Sequence, residues 1–119
     1  MNSMNIDELV TLRSLVHAGG RIAEDAPPAG TVIRVLRRAD GTINHVYIGL
    51  VAPIEIHELA GSFGAPRELP RLPTGGRRVI FPATQPDGGE RAVTVIAELN
   101  RAGQVTAVVL RPDDFTTAP

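Results

Sequence analysis

The sequence predicts an α+β domain: an N-terminal amphipathic helix packed on a curved antiparallel sheet of about five strands, in the order α-β-β-α-β-β-β. Three observations predict it. Apolar residues recur at helical spacing over residues 5–18, an Asp40-Gly41 pair separates two β-rich runs, and Asn100–Gly103 separates two more. At 119 residues the chain holds material for one hydrophobic core, so a single domain over 1–119 is expected, with 1–4 and 112–119 as flexible ends.

Asn5 and Glu8 have the layout of a capping box, and Ile6, Leu9, Val10, Leu12, Leu15 and Val16 then form one apolar stripe. Gly19 and Gly20 supply the stop, and Arg21–Gly30, with Pro27 and Pro28, reads as a connection. TVIRVLRR and INHVYIGLV around Asp40-Gly41 form a hairpin with a two-residue type I′ turn. That turn sets Val35 opposite Val46 and Ile33 opposite Ile48 on a core face. Arg34/Tyr47, Leu36/His45 and Arg38/Ile43 fall on a mixed face.

Pro53 suits a helix start and Gly61 a helix end, so PIEIHELAG is expected to be a short helix. GAPRELPRLPTGGRR, with Pro66, Pro70 and Pro73, is too proline-rich for helix or central strand and is expected to be a mobile loop. VIFPA, RAVTVIAEL and QVTAVVLR read as strands, with turns at Pro86–Gly89 and Asn100–Gly103, the second a type I turn completed by a left-handed Gly103. The last hairpin then pairs Leu99/Val105, Ala97/Ala107 and Val95/Val109 on one face, and Ile96/Val108 and Thr94/Leu110 on the reverse.

This order fits either a cone-shaped, cystatin-like sheet wrapped on the first helix or a flatter sheet of the profilin or roadblock type. Both are likenesses of fold, and fold alone does not carry function.

Composition excludes several chemistries. The absence of cysteine removes disulfides, thiolate zinc sites, iron–sulfur clusters and thiol nucleophiles. Twelve arginines without a lysine read as the codon bias of a high-GC bacterial genome. A net charge of −1 lacks the basic excess of a general nucleic-acid binder. Asp7 and Glu8 stand where a signal peptide would be apolar, and no run approaches the ~18 apolar residues of a membrane span, so a cytoplasmic protein is expected.

His57 lies in EIHE, but Gly61 occupies the place of the second histidine of HExxH, so no metal site is expected. PTGGRR offers a glycine nest beside Arg77 and Arg78 but lacks the Walker lysine and hydroxyl, and no cofactor is expected. Neither Ser14 nor Ser62 sits in a GxSxG elbow, and Asp113-Asp114 reads as a charged end.

The deficit of chemical motifs and the surplus of apolar strand surface predict a small non-catalytic binding or protein-interaction domain, as a homodimer or as a regulatory or partner-neutralising protein. Ile96, Val108 and Leu110 form its expected contact patch, with Arg67 and Arg71 on the proline–arginine loop as further partner contacts. The rival reading is a small-pocket isomerase, cyclase or hydrolase. In it His45 is the base, Tyr47 a hydrogen-bond donor and Arg34 an anion clamp, with His57 or Glu55 at the pocket mouth. A small ribonuclease would require a strongly positive face, which the composition does not supply.

Overall fold

A computed structural model of the chain describes residues 6–17, 25, 30–73, 76–84 and 93–112. The Gly19-Gly20 stop, the turn at Pro86–Gly89 and Asp113-Asp114 lie outside the described residues. The elements run α1 (Ile6–His17), β1 (Thr31–Arg37), β2 (Ile43–Glu55), α2 (Ile56–Phe63), β3 (Arg67–Glu68), β4 (Arg77–Thr84), β5 (Val93–Leu99) and β6 (Gln104–Pro112). The strands form an antiparallel sheet in the order β1-β2-β6-β5-β4-β3. This is an α+β fold with six strands where about five were predicted. The additional strand is β3, two residues of the proline–arginine stretch that pair with Ile80 and Val79 at the sheet edge.

Helix α1 buries Leu9, Leu12 and Val16, the centre of its predicted stripe, while Leu15 stays exposed. Both helices contribute to one core, in which Val46 and Ile48 of β2, Val95 and Ala97 of β5, and Val108 and Leu110 of β6 are buried. Period-2 alternation sends the intervening strand residues to the opposite, outer face. Pro112, predicted to begin a flexible tail, is buried and pairs with Val93.

The two hairpins close in the same way, which corrects the first turn. Arg38 and Thr42 bracket one loop and Asn100 and Gln104 the other. The Gly41 N–H donates to Arg38 O (2.9 Å), and the Gly103 N–H to Asn100 O (3.0 Å). A type I′ turn requires positive φ at both central residues, but among the described residues only glycines have it, here Gly41 at 88° and Gly103 at 80°. Asp40 stays in ordinary backbone because its carboxylate accepts from the Thr42 N–H (3.0 Å) and hydroxyl (2.6 Å), a local turn of its own. Each loop is therefore three residues long with glycine in the left-handed position.

A bulge follows each loop. Arg37 pairs with Ile43 and Leu36 with His45, leaving Asn44 as the extra residue; Leu99 pairs with Val105 and Glu98 with Ala107, leaving Thr106 as the extra. Ile43, predicted on the mixed face opposite Arg38, is thereby returned to the core. In the last hairpin the bulge slips the predicted pairing by one: Ala97 faces Val108, Val95 faces Leu110 and Ile96 faces Val109. Val108 and Leu110, predicted on the reverse face, are fully buried in the main core.

The short helix also lies further along than predicted. Gly49 pairs with Ala107 and Ile54 with Val105, so β2 detours between these positions, and Pro53, with no N–H to donate, sits within the detour. Ile54 returns to the core, Glu55 precedes α2, and the Glu55 N–H donates to Glu58 Oε2 (3.0 Å). Gly61 lies inside α2, and Gly64, at φ 96°, ends it.

Candidate functional site

Register alone brings several side chains together on the outer face. Arg34 of β1 lies opposite Tyr47 of β2, and Leu36 opposite His45, as the sequence predicts. With Val32 these five line an open depression of about 450 Å³. The Tyr47 ring lies beside Gly49, where an added Cβ would stand 3.4 Å from the ring and 3.9 Å from Val32, in ordinary contact with both.

A second open depression, of about 330 Å³, adjoins it across His45 and is lined by Asn44, Arg78, Ile96, Glu98, Val109 and Arg111. Its floor is the cross-strand pair Ile96/Val109. Arg78 stands opposite Glu98 at one end, and Arg111 stands opposite Thr94 at the other. Sequence reasoning did not single out Arg78 with Arg111; their convergence depends on the register of three strands.

The chemistry of the predicted catalytic set is sparse. Among the described residues no hydrogen bond joins Arg34, His45 and Tyr47 to one another. His45 Nδ1 lies 3.4 Å from the Asn44 amide nitrogen, which donates to it when that ring nitrogen is unprotonated. General base catalysis by histidine draws on an orienting group for the second ring nitrogen, and no carboxylate hydrogen-bonds to His45 among the described residues. The depression holds an imidazole, a phenol and a guanidinium that can contact a polar ligand without being wired to each other.

The other candidates disperse. Glu55 and Glu58 serve the start of α2, where Glu55 Oε2 also accepts from Gln104 Nε2 at 2.9 Å, and His57 is exposed nearby. Among the described residues no three His, Asp or Glu side chains converge as metal ligands. Arg77 and Arg78, predicted to flank a glycine nest, point to opposite faces as successive strand residues must, and Thr74 and Gly75 of that nest lie outside the described residues. Of the predicted contact residues, Ile96 lies on the outer face, Arg67 joins it opposite Ile80, and Arg71 is exposed in the loop. Val108 and Leu110 are absent from that face because the bulge at Thr106 turns them inward.

On the core side, Arg13 of α1 lies over the Phe63 ring at 4.6 Å from its centroid. Burial holds the guanidinium below its ordinary pKa, and Nε and Nη1 have no hydrogen-bond partner. The aromatic face is what receives this cation.

The loop predicted to be mobile is tied down at two points. The Leu69 N–H donates to Arg78 O (2.9 Å) and the Leu72 N–H to Gly76 O (3.1 Å). Arg77 holds Glu68 through two bonds, Nη2 to Oε1 at 3.0 Å and Nε to Oε2 at 3.2 Å. The hydrogen bonds from Arg77 hold the Glu68 carboxyl below its ordinary value of 4.5. A depressed folded-state pKa means that the pair's support is complete above that ordinary value and is lost as pH falls through the depressed one. Hydrogen exchange at the Leu69 amide, corrected for its intrinsic rate, is therefore expected to accelerate on acidification. Glu68→Gln should reproduce the acceleration at neutral pH, and unchanged protection in that variant would show that the backbone bond holds β3 without the ion pair.

Among the described residues no helix is long and apolar enough to cross a membrane. No family model matches the chain, and no curated protein or solved structure matches it.

Proposed function

We propose that this chain is a non-catalytic binding domain that engages another protein through the outer face of its sheet, and that it acts in the cytoplasm. The observation that carries the reading is the pair of adjoining depressions on the face opposite the helices. Aliphatic side chains stand beside charged and polar ones in both, and Val32 and Leu36 are left 57% and 42% exposed in the first. Large aliphatic side chains clustered on one open surface are a usual sign of a contact site. The lack of hydrogen bonding among Arg34, His45 and Tyr47 weighs against the rival isomerase, cyclase or hydrolase. The finer likeness to a cystatin-like cone or a profilin- or roadblock-like sheet carries no part of the proposal.

The test pairs wild type with Val32→Asp/Leu36→Asp, after circular dichroism has shown both to be folded. Each is used to capture partners from cells, and any protein retained by wild type is purified and titrated against both. Sedimentation of each chain alone reads self-association. An affinity at least about tenfold weaker in the variant is expected. A purified partner bound equally by both would place the interaction elsewhere, and turnover of a small molecule abolished by His45→Ala would replace the proposal with the enzyme.

A further inference from the structure

We propose that the outer face recognises carboxylates, and that its occupant is an acidic protein surface, not a second copy of this chain. This rests on the outer-face reading and adds the chemistry of the partner. The register places four strand arginines there: Arg34 on β1, Arg111 on β6, Arg78 on β4 and Arg67 on β3. The strand carboxylates of that face are Glu98 and, beyond the detour in β2, Glu55, which already accepts from Gln104. The face is thus positive on a chain whose net charge is −1.

The state of these guanidinium groups gives the inference its direction. Among the described residues none of the four makes an ion pair, although Arg78 and Glu98 are cross-strand neighbours. Arg78 Nε is shielded from solvent and has no hydrogen-bond partner. Its neighbour Arg77, on the opposite face, is held by both oxygens of Glu68. A shielded donor without an acceptor is rare in folded proteins, and a planar guanidinium is matched best by a carboxylate or phosphate presenting two oxygens.

The floor between Arg78 and Arg111 separates these two anions. Ile96 and Val109 form an aliphatic strip with a guanidinium at each end, which complements an extended segment that carries acidic, aliphatic and acidic side chains at every second position, and so on one face. Single-stranded nucleic acid would call for a row of aromatic stacking platforms, and the described strand residues of this face offer Tyr47 and His45 alone. A second copy would bring an equally positive face against the first, and like charges across an interface oppose association.

Nuclear magnetic resonance of the isotopically labelled full chain decides it, with a short synthetic peptide repeating Glu-Ser-Val-Ser, which sets Glu and Val in turn on one face, as the probe. Saturable shifts are expected at the Arg78 and Arg111 Nε–Hε signals, with the Arg77 signal silent. Added salt should weaken binding, and Arg78→Gln/Arg111→Gln should weaken it about tenfold while leaving the circular dichroism spectrum unchanged. Binding of inorganic phosphate or of a single-stranded oligonucleotide at the same arginines, as tight as that of the peptide, would overturn the assignment to a protein. A wild-type dimer dispersed by the double variant would overturn the choice of an unlike partner. Peptide shifts confined to Val32, Leu36 and Tyr47, with the arginines silent, would overturn carboxylate recognition and leave the outer-face proposal standing. No shift anywhere would overturn it too, while the partner capture described above judges the wider reading separately.

Discussion

Val108→Arg is expected to leave the chain unfolded, whereas Val109→Arg, one residue along the same strand, is expected to leave the fold intact. Val108 is fully buried between its cross-strand neighbours Ile48 and Ala97. A guanidinium there would sit among the apolar side chains of the core, and a buried charge without a fitted partner costs at least several kcal/mol. A domain of this size has about 5–15 kcal/mol of stability in all, so the substitution removes most or all of it. Val109 faces outward between Tyr47 and Ile96 and is only partly covered, so an arginine stem can lie along the sheet with its charged end in water. Far-UV circular dichroism with urea titration reads both variants. A folded Val108→Arg beside an unfolded Val109→Arg would show that β6 alternates without a bulge.

That contrast also locates what the sequence left unread. Ile43 and Val46 are three apart, as are Val105 and Val108, and all four are in the core. A regular strand puts residues three apart on opposite faces, so both can be buried only if an extra residue intervenes, and Asn44 and Thr106 are those residues. In the first hairpin two errors cancel. A two-residue turn is one residue short of the real loop, the missing bulge shifts the register back, and Ile33/Ile48 to Leu36/His45 come out correctly paired. In the second hairpin the loop is read correctly and the bulge alone is missed, so every pair beyond Leu99/Val105 slips by one. The two hairpins superpose in sequence, Gly41 on Gly103, Ile43 on Val105, Val46 on Val108 and Ile48 on Leu110. The predicted core role of Val46 and Ile48 was the available signal for Val108 and Leu110.

The candidate site was legible to the same extent. Arg34, His45 and Tyr47 share a depression because the register they depend on survived. Arg78 and Arg111 required β4, β5 and β6 to be aligned together, and a slip of one residue hides that convergence. The short helix was displaced by trusting Pro53 and Gly61 as punctuation. Burial of Ile54 and the Glu55/Glu58 start outweigh those local preferences, which are weak beside tertiary packing.

Phe81→Ala should produce the largest loss of stability of any truncation that leaves the chain foldable, about 3–5 kcal/mol. Among the described residues Phe81 is the largest of the fully buried side chains, on β4 opposite Val95 of β5. Its ring meets that of Phe63 at 6.0 Å between centroids and 58° between planes, a tilted arrangement that aromatic quadrupoles favour. Phe63 in turn carries Arg13 on its face, so one aromatic pair joins the sheet, the end of α2 and the middle of α1. Val95 on β5 and Phe63 on α2 belong to different layers and cannot both collapse into the space left by the ring, which places the cost toward the upper part of the range for such truncations. Phe81→Leu keeps most of the volume and should cost less than half as much, with the difference reporting the lost ring contact. Urea titration followed by circular dichroism measures both. A loss of about 1 kcal/mol or less for Phe81→Ala would mean that the site relaxes freely and that the aromatic pair does not join the layers.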